Sequence, residues 1–241
     1  MTTSNSTPAA NPNVSSKLEL GDSLTLLKDV PSQIRLLITD PPYCVSQTNN
    51  LTTLGRRGID FGEWDSNFDQ LSWLDLAIPT LIPGGSCVIF NDWKNLGEIA
   101  KRLERLGMVV KRPIILVKSN PFPRNIQRSF VQATEHALWA VKPGAKWVFN
   151  KRPEVSYETG IYKSSVQKSR HPTKKPDSLF IDLIKLLSHP EEWVLDPFVG
   201  SGTTCYAAET TQRRFICFEK EPEYYQLALE TWRRARGDHH D

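Results

Sequence analysis

The stretch Ile34-Arg35-Leu36-Leu37-Ile38-Thr39-Asp40-Pro41-Pro42-Tyr43 sets the organisation of this chain of 241 residues. Its apolar, β-branched beginning is typical of a buried strand. The two prolines have no N–H to donate to a neighbouring strand and hold φ at about −65°, so the strand must end at Asp40. Ligands bind at the carboxyl ends of strands in open α/β sheets. The stretch therefore predicts a binding site that includes Asp40 and Tyr43.

The groups at this strand end suit chemistry on an amino group of a nucleobase. Such an amino group is a poor nucleophile because its lone pair is delocalised into the ring. Two acceptors, the Asp40 carboxylate and the Pro41 carbonyl, can each take one N–H and pull the nitrogen toward tetrahedral geometry. Tyr43 offers a face for base stacking, a contact worth about 1–3 kcal/mol. Short motifs carry a false-positive risk, and the other interpretation is a proline-rich turn with a surface Asp and a core Tyr.

A second stretch with special backbone requirements lies near the other end of the chain. Residues 192–196 are predicted to form a strand that ends at Asp196. The run Asp196-Pro197-Phe198-Val199-Gly200-Ser201-Gly202-Thr203-Thr204 then turns from the strand into a helix. Gly200 and Gly202 permit a tight turn and close approach of a ligand to the backbone. The stretch is neither Gly-x-Gly-x-x-Gly nor a phosphate loop, which disfavours those two kinds of nucleotide site.

An acidic residue, Glu219, ends the next predicted strand, Arg214–Phe218. It follows Asp196 by roughly 20 residues, the spacing at which dinucleotide-binding folds place a carboxylate that binds ribose hydroxyls. Glu219 is therefore predicted to bind a ribose. The alternative is a surface charge paired with Lys220.

Together the two stretches resemble a known family. Asp40-Pro41-Pro42-Tyr43 resembles the catalytic motif of the S-adenosylmethionine-dependent amino-methyltransferases of DNA, which make N6-methyladenine or N4-methylcytosine. The run from Asp196 to Thr204 resembles their cofactor loop, and the order, catalytic motif first, is that of the circularly permuted β group. The resemblance spans roughly residues 18–232. It implies a single-domain, Rossmann-like α/β fold with a mostly parallel sheet and helices on both faces, and the alternation of strands and helices also predicts such a sheet.

The resemblance also implies which residues hold S-adenosylmethionine. Asp22 is a candidate partner for the cofactor adenine, although capping of the following helix is an alternative role. Thr173 and Lys175 are expected near the methionine end on the resemblance alone. The full set of predicted cofactor residues is Asp22, Thr173, Lys175, Asp196, Phe198, Gly200, Gly202, Thr203, Thr204 and Glu219.

Duplex DNA is the predicted partner. The polar segment 44–67 is expected to be a lid over the target base or, alternatively, a disordered loop. The middle of the chain is basic with interleaved aromatic residues, a combination that favours a nucleic-acid surface. The predicted DNA-binding residues are Arg56, Arg57, Arg124, Lys151 and Arg152. A homodimer and a cognate restriction nuclease are possible further partners.

The bulk properties exclude several classes of protein. The hydrophobic fraction of 39% and charged fraction of 24% are those of a soluble globular protein, and no run is long and apolar enough for a membrane span. The four cysteines, Cys44, Cys87, Cys205 and Cys217, have neither disulfide-type nor metal-type spacing. Reduced, buried thiols and a cytoplasmic location in a bacterial or phage-type setting, associated with the nucleoid, are expected.

The predicted organisation is one methyltransferase domain, residues 17–236, between a disordered tail at 1–16 and a polar tail at 237–241. The domain divides into a catalytic half at 17–141, a target-recognition insert at 142–170 and a cofactor half at 171–236. Within the catalytic half, a helix is predicted over Asp69–Leu81, closed by Pro83-Gly84-Gly85, and a strand over Ser86–Asn91. Another strand is predicted over Met108–Lys118, bent at Pro113.

The predicted function is S-adenosylmethionine-dependent methylation of an exocyclic amino group of a flipped-out base in duplex DNA. In the resembled family, Asp at the first motif position is usually associated with methylation of adenine N6, and Ser with methylation of cytosine N4. Asp40 therefore favours adenine. Cytosine N4 methylation and a non-catalytic module that binds cofactor and DNA are the alternatives. Cytosine C5 methylation is disfavoured because Cys44 follows Tyr43, whereas that reaction typically presents its cysteine after a proline.

Overall fold

The computed structural model describes residues 15–43, 68–123, 126–165 and 174–238. In this part of the chain nine strands form one sheet, and two apolar cores lie on its opposite faces. No helix within the described ranges has the length and apolar character to cross a membrane.

The strands are β1 (Lys17–Leu20), β2 (Ile34–Thr39), β3 (Leu81–Asn91), β4 (Val109–Val110), β5 (Ile114–Lys118), β6 (Thr134–Val141), β7 (Ile161–Ser164), β8 (Trp193–Asp196) and β9 (Arg214–Glu219). The α-helices are α1 (Ser23–Leu26), α2 (Ser72–Ala77), α3 (Leu96–Arg105), α4 (Asp177–Leu187), α5 (Thr203–Thr210) and α6 (Pro222–Arg236), and 3-10 turns cover Leu27–Asp29 and Ile78–Thr80.

The strand order across the sheet brings the two predicted motifs together. It is β1-β9-β8-β2-β3-β6-β5-β7, with β4 also paired to β6. The strands from β1 to β3 in this order are mutually parallel, β6 is antiparallel to its neighbours, and β7 is parallel to β5. Consequently β2, β8 and β9 end side by side at one edge of the sheet, termed here the carboxyl edge. The predicted α/β fold with a mostly parallel sheet is confirmed.

The side chains of β2 divide between the two cores. Leu36 and Ile38 belong to the core that includes residues of α4, α5 and α6, whereas Ile34 and Leu37 belong to the core that includes residues of α2 and α3. All four are fully buried. Burial on both faces is typical of a central parallel strand and explains the continuous apolar run in the sequence.

The prediction for residues 69–91 is partly wrong. The α-helix ends at Ala77, and β3 begins at Leu81 instead of Ser86. Pro83-Gly84-Gly85 lies within β3 as a bulge, because the pairing of β3 with β2 moves from Leu81 to Ser86 while its partner advances only from Ile34 to Leu36. The Gly84 N–H donates to the Lys142 carbonyl at 2.9 Å. The glycines therefore accommodate an irregularity inside a strand.

Two further differences concern the half of the sheet beyond β3. The predicted strand Met108–Lys118 is two strands, β4 and β5, separated by a segment that contains Pro113. The predicted recognition insert contributes a strand that the sequence did not indicate, β7, which pairs with β5 from Ile115 to Lys118. Residues 142–170 are thus joined to the sheet where the structure describes them.

Candidate active site

A cavity of about 460 Å³ opens at the carboxyl edge. This volume lies in the usual range for small-molecule sites. The lining comes from both predicted motifs and from residues that the sequence did not indicate, among them Phe68, Asp69, Glu135 and Tyr224. The predicted site residues among the lining are Asp22, Asp40, Pro41, Pro42, Tyr43, Lys175, Asp196, Phe198, Gly200, Thr203, Thr204 and Glu219.

Asp40 follows the last residue of β2 and is held from two sides. The Tyr43 hydroxyl donates to one carboxylate oxygen, and the Lys175 ammonium donates to the other. The turn itself is fixed by side-chain amides: Gln70 Nε2 donates to the Pro42 carbonyl at 2.6 Å, and Asn95 Nδ2 donates to the Tyr43 carbonyl at 3.0 Å. The two prolines and these bonds aim the carboxylate into the cavity.

Lys175 is 5% exposed, so its charge depends on its neighbours. Its Nζ atom lies 3.2 Å from Glu135 Oε2 and 3.3 Å from the Tyr43 hydroxyl, in addition to its bond to Asp40. Glu135 also pairs with Lys118, at 2.7 Å between Nζ and Oε1. Two carboxylates and two ammonium groups thus form a balanced cluster at the carboxyl ends of β2 and β5 and the amino end of β6.

The pKa values follow from burial and these charges. Burial alone would lower the pKa of Lys175, but Asp40, Tyr43 and Glu135 outweigh it and raise that pKa well above its ordinary value. Burial, reinforced by the charge of Asp40, raises the pKa of the Tyr43 hydroxyl well above its ordinary value. Burial also raises the pKa of Asp40, against the opposing effect of Lys175. Near neutral pH, Lys175 is therefore charged and Tyr43 is a hydrogen-bond donor.

Asp196 and Thr204 shape the cofactor loop. Asp196 is 2% exposed and accepts from Thr39 Oγ1 at 2.6 Å, from the Phe198 N–H at 3.0 Å and from the Thr204 hydroxyl. Burial raises the pKa of Asp196 to about 7. Because these polar atoms are engaged with one another, both residues hold the loop in place; contact of either residue with the cofactor stays a prediction.

Glu219 is a fixed acceptor that faces the cavity. Its side chain accepts from the Gly200 N–H at 2.8 Å and from the N–H groups of Lys220 and Glu221 at 2.9 Å. Glu219 is only 8% exposed, and burial raises its pKa. The alternative of a surface charge paired with Lys220 is wrong, since the Lys220 ammonium lies near Asp22, at 3.5 Å. A carboxylate held by backbone donors keeps lone pairs for hydroxyl groups of a ribose.

The two glycines of the loop have different roles. Gly200 has φ +53° and lines the cavity. Gly202, with φ +84°, packs against α6, and a Cβ atom there would lie 2.7 Å from the Cα atom of Ala228. Gly202 is absent from the cavity lining. The prediction that Gly202 admits the cofactor is therefore corrected: this glycine admits the close approach of a helix.

Phe198 and Asp22 occupy positions that suit a nucleoside. The ring of Phe198 is held edge-on by Phe68 at 5.2 Å and by Trp73 at 5.3 Å, and it lines the cavity. Asp22 accepts from the Leu24 N–H at 2.9 Å, which confirms the capping role, and it also lines the cavity. An aromatic face and the fixed carboxylate of Glu219 are groups that fit S-adenosylmethionine.

Of the predicted DNA-binding residues, the structure describes Lys151 and Arg152. Arg56, Arg57 and Arg124 lie outside the described residues, as do Thr173 and the proposed lid at 44–67. Lys151 and Arg152 follow Asn150, whose N–H donates to the Leu186 carbonyl at 2.8 Å near the end of α4. The end of α4 leads into the start of β8, and the carboxyl end of β8 lies at the cavity. Lys151 and Arg152 therefore lie near the edge of the sheet opposite the cavity. Arg152 is also paired with Glu158 at 2.7 Å. The contact of Lys151 and Arg152 with DNA stays a prediction.

Comparisons with known proteins agree with this geometry. A family model described as DNA methylase matches residues 34–230. The Type II methyltransferase M2.DpnII of Streptococcus pneumoniae is 32% identical over 224 residues, which cover 84% of each protein. M2.LlaDCHI of Lactococcus lactis subsp. cremoris is 30% identical over 229 residues, which cover 86% of this chain and 85% of that protein.

Solved structures show the same relationship. The crystal structure of an M1.HpyAVI–SAM complex superposes with a TM-score of 0.74 and 39% identity, covering 89% of this chain and 98% of the other. A PvuII DNA methyltransferase described as cytosine-N4-specific has a TM-score of 0.71 at 21% identity, covering 91% and 86%, and shows a shared fold. The cavity, the paired motifs and these matches lead to one conclusion: the chain belongs to the DNA methylase family of N6 and N4 amino-methyltransferases.

Proposed function

We propose that this S-adenosylmethionine-dependent DNA methyltransferase modifies the N6 amino group of adenine in duplex DNA, with the target base turned out of the helix. The observation that carries the proposal is a shared cavity. Asp40, Pro41 and Tyr43 line the same space as Phe198 and Glu219. A donor held by the second group therefore lies beside the acceptors offered by the first.

The residues of the chain act mainly by positioning and by charge. S-adenosylmethionine supplies a methyl group on a positively charged sulfur; the base nitrogen forms the new N–C bond with its lone pair, the C–S bond breaks with its electrons left on sulfur, and one N–H proton is released. The Asp40 carboxylate and the Pro41 carbonyl accept the two N–H groups. Their interaction with the nitrogen strengthens as positive charge develops there, so it favours the transition state over the ground state.

Tyr43 supports Asp40 in this arrangement. Its hydroxyl donates to the carboxylate, and its raised pKa keeps it a donor. The ring lines the cavity, where it can meet the face of a base. Because Asp40 is itself buried with a raised pKa, it is a better acceptor for the departing proton than an exposed aspartate.

Adenine is proposed in preference to cytosine because the catalytic motif begins with Asp40 and not with Ser. The target nitrogen lies inside a stacked duplex, so the base must be extruded at a cost of a few kcal/mol before it reaches a cavity. Relatives named Type II methyltransferases support the further proposal that the enzyme protects a sequence from a cognate nuclease.

The DNA is proposed to approach the carboxyl edge. The loop between β5 and β6 leaves this edge next to Lys118 and returns next to Glu135, and it exposes Phe122 and Phe130. Phe130 is fully exposed, and large apolar groups of this kind can stack on or insert between bases. This placement supports a DNA-facing surface around the cavity.

A labelling experiment tests the proposed function. The full-length protein is incubated with amplified genomic DNA, which carries no N6-methyladenine or N4-methylcytosine, and with S-adenosylmethionine labelled in its methyl group. Digestion to nucleosides should yield label in N6-methyladenine. Label in N4-methylcytosine would replace adenine by cytosine, and the absence of transfer to either base would contradict the proposal.

A further inference from the structure

Methyl transfer uses the Asp40 carboxylate, yet Lys175 and a second carboxylate, Glu135, lie beside it. Lys175 sits between two carboxylates, Asp40 from the end of β2 and Glu135 from β6. It also lies 5.5 Å from the ring centres of Tyr43 and Phe90. These groups enclose the ammonium in a buried site from which it can reach either carboxylate by a small displacement.

The bond from Lys175 poses a problem for catalysis. One oxygen of Asp40 accepts from Tyr43 and the other from Lys175, so an incoming amino group must share the carboxylate with an ammonium. A cation at that position also opposes the positive charge that develops on the attacking nitrogen. Sharing Lys175 with another anion, or transferring it there, would relieve both effects.

Glu135 is placed to be that anion. Its Oε1 atom is tied to Lys118 at 2.7 Å, which fixes the carboxylate. Its Oε2 atom lies 3.2 Å from Lys175 and, among the described residues, makes no hydrogen bond of good geometry. Burial would raise the pKa of Glu135, but Lys175 and Lys118 together lower it. The carboxylate is therefore ionised, and its Oε2 atom can accept a hydrogen bond from Lys175.

We propose that Glu135 is a positioning residue that takes the Lys175 ammonium from Asp40 when the target amino group enters, and so frees Asp40 to accept an N–H. This inference rests on the proposed role of Asp40 and adds the device that makes its carboxylate available. Lys175 in turn keeps the two buried carboxylates from repelling each other before DNA binds.

The proposal predicts opposite pH shifts in two variants. Methyl transfer falls as pH drops through the pKa of Asp40, because only the carboxylate accepts an N–H. The charge of Glu135 raises this pKa and that of Lys175 lowers it. In Glu135→Gln the acidic limb should therefore move to lower pH, and in Lys175→Met to higher pH, by about one pH unit or more.

The other groups that face Asp40 do not differ between these variants. Tyr43 on the same turn remains protonated, and Lys118 lies behind Glu135. Burial raises the pKa of Asp196, on the neighbouring β8, to about 7, and this group is the same in every variant. The difference between variant and parent therefore isolates the effect of Glu135 or Lys175 on Asp40.

The experiment measures single-turnover methylation of amplified genomic DNA from pH 5 to 9, roughly the range over which these groups act, with enzyme and S-adenosylmethionine in excess. Glu135→Asp retains the charge and should keep its acidic limb close to that of the parent. Glu158→Gln is the matched control, since it removes a shielded carboxylate that is paired with Arg152 away from the cavity, and its profile should equal that of the parent.

Each outcome decides the inference. A shift to lower pH in Glu135→Gln, with the parent limb in Glu135→Asp, supports it, and this arm is sufficient if Lys175→Met does not fold. An unmoved limb in Glu135→Gln overturns it, whatever the change in rate. An Asp40→Ala variant in the same assay separates the two levels: if that variant is active, the proposed role of Asp40 fails and this inference fails with it, and if it is inactive while the limb of Glu135→Gln is unmoved, only this inference fails.

Discussion

Replacing Gly202 by alanine should damage folding far more than cofactor binding. The residue has φ +84°, where a side chain costs about 1–2 kcal/mol. The added Cβ atom would also lie 2.7 Å from the Cα atom and 2.9 Å from the carbonyl oxygen of Ala228. Relieving that overlap requires α6 to shift, at a further cost of about 1–3 kcal/mol. We therefore expect Gly202→Ala to lose about 2–5 kcal/mol of unfolding free energy.

Two other glycines provide controls for this measurement. Gly107 has φ +79°, and no atom lies within 4 Å of an added Cβ, so Gly107→Ala isolates the backbone cost. Gly200 has φ +53° but lines the cavity, so Gly200→Ala should weaken binding of S-adenosylmethionine. Urea unfolding and calorimetric titration of the three variants separate stability from affinity. If Gly202→Ala unfolded like Gly107→Ala and lost affinity instead, Gly202 would face the ligand and the packing argument would be refuted.

Three further results are expected. The unfolding free energy of the parent, measured relative to Asp196→Asn, should fall as the pH rises from about 4 to about 7. The reason is that the folded state raises the pKa of Asp196 from 3.8 to about 7 and so binds the proton more tightly than the unfolded chain. A difference that does not change with pH would show that Asp196 is not buried as described. Replacing Lys151 and Arg152 by glutamine should change the log–log salt slope of DNA binding by less than about one unit, and a change near two would place both at phosphates. A duplex with a mismatch opposite the target should bind more tightly than the matched duplex, because part of the extrusion cost is already met, and equal affinities would argue against extrusion.

Local patterns predicted most of the sheet and the helices that cover it. β8 and β9 agree with the predicted strands 192–196 and Arg214–Phe218 to within one residue at one end, since each is a short, buried apolar run. Asp40 and Glu219 were identified because each directly follows or ends a buried apolar run. Parallel strands necessarily carry such residues to the same edge.

Features that depend on non-local packing could not be read in the same way. Gly202 looks like any glycine of a ligand-binding turn until Ala228 is seen to pack against it. Pro83 and the two glycines after it look like the end of a helix. They form a bulge because β3 has more residues than β2 between two successive pairs of hydrogen-bonded partners. In both cases the deciding contact comes from a distant part of the chain.

The ion pairs of the site illustrate the same limit. Lys175 and Glu135 are 40 positions apart in the sequence, and only the reversed direction of β6 brings Glu135 to the carboxyl edge. The one available signal was a glutamate near the start of a strand that ends in an apolar run. The position of Lys151 and Arg152 at the opposite edge could not be predicted either, because the sequence does not show at which edge the chain lies after it leaves β6.

Methylation by Asp40→Ala is the most direct test of the central claim. Loss of the carboxylate should lower the single-turnover rate on amplified genomic DNA by at least about 100-fold, the usual scale for one group that stabilises developing charge. Binding of S-adenosylmethionine should be nearly unchanged, because Phe198 and Glu219 remain, and Asp29→Ala, which alters an exposed carboxylate, should act like the parent. Methylation by Asp40→Ala at close to the parent rate would contradict the account of this site.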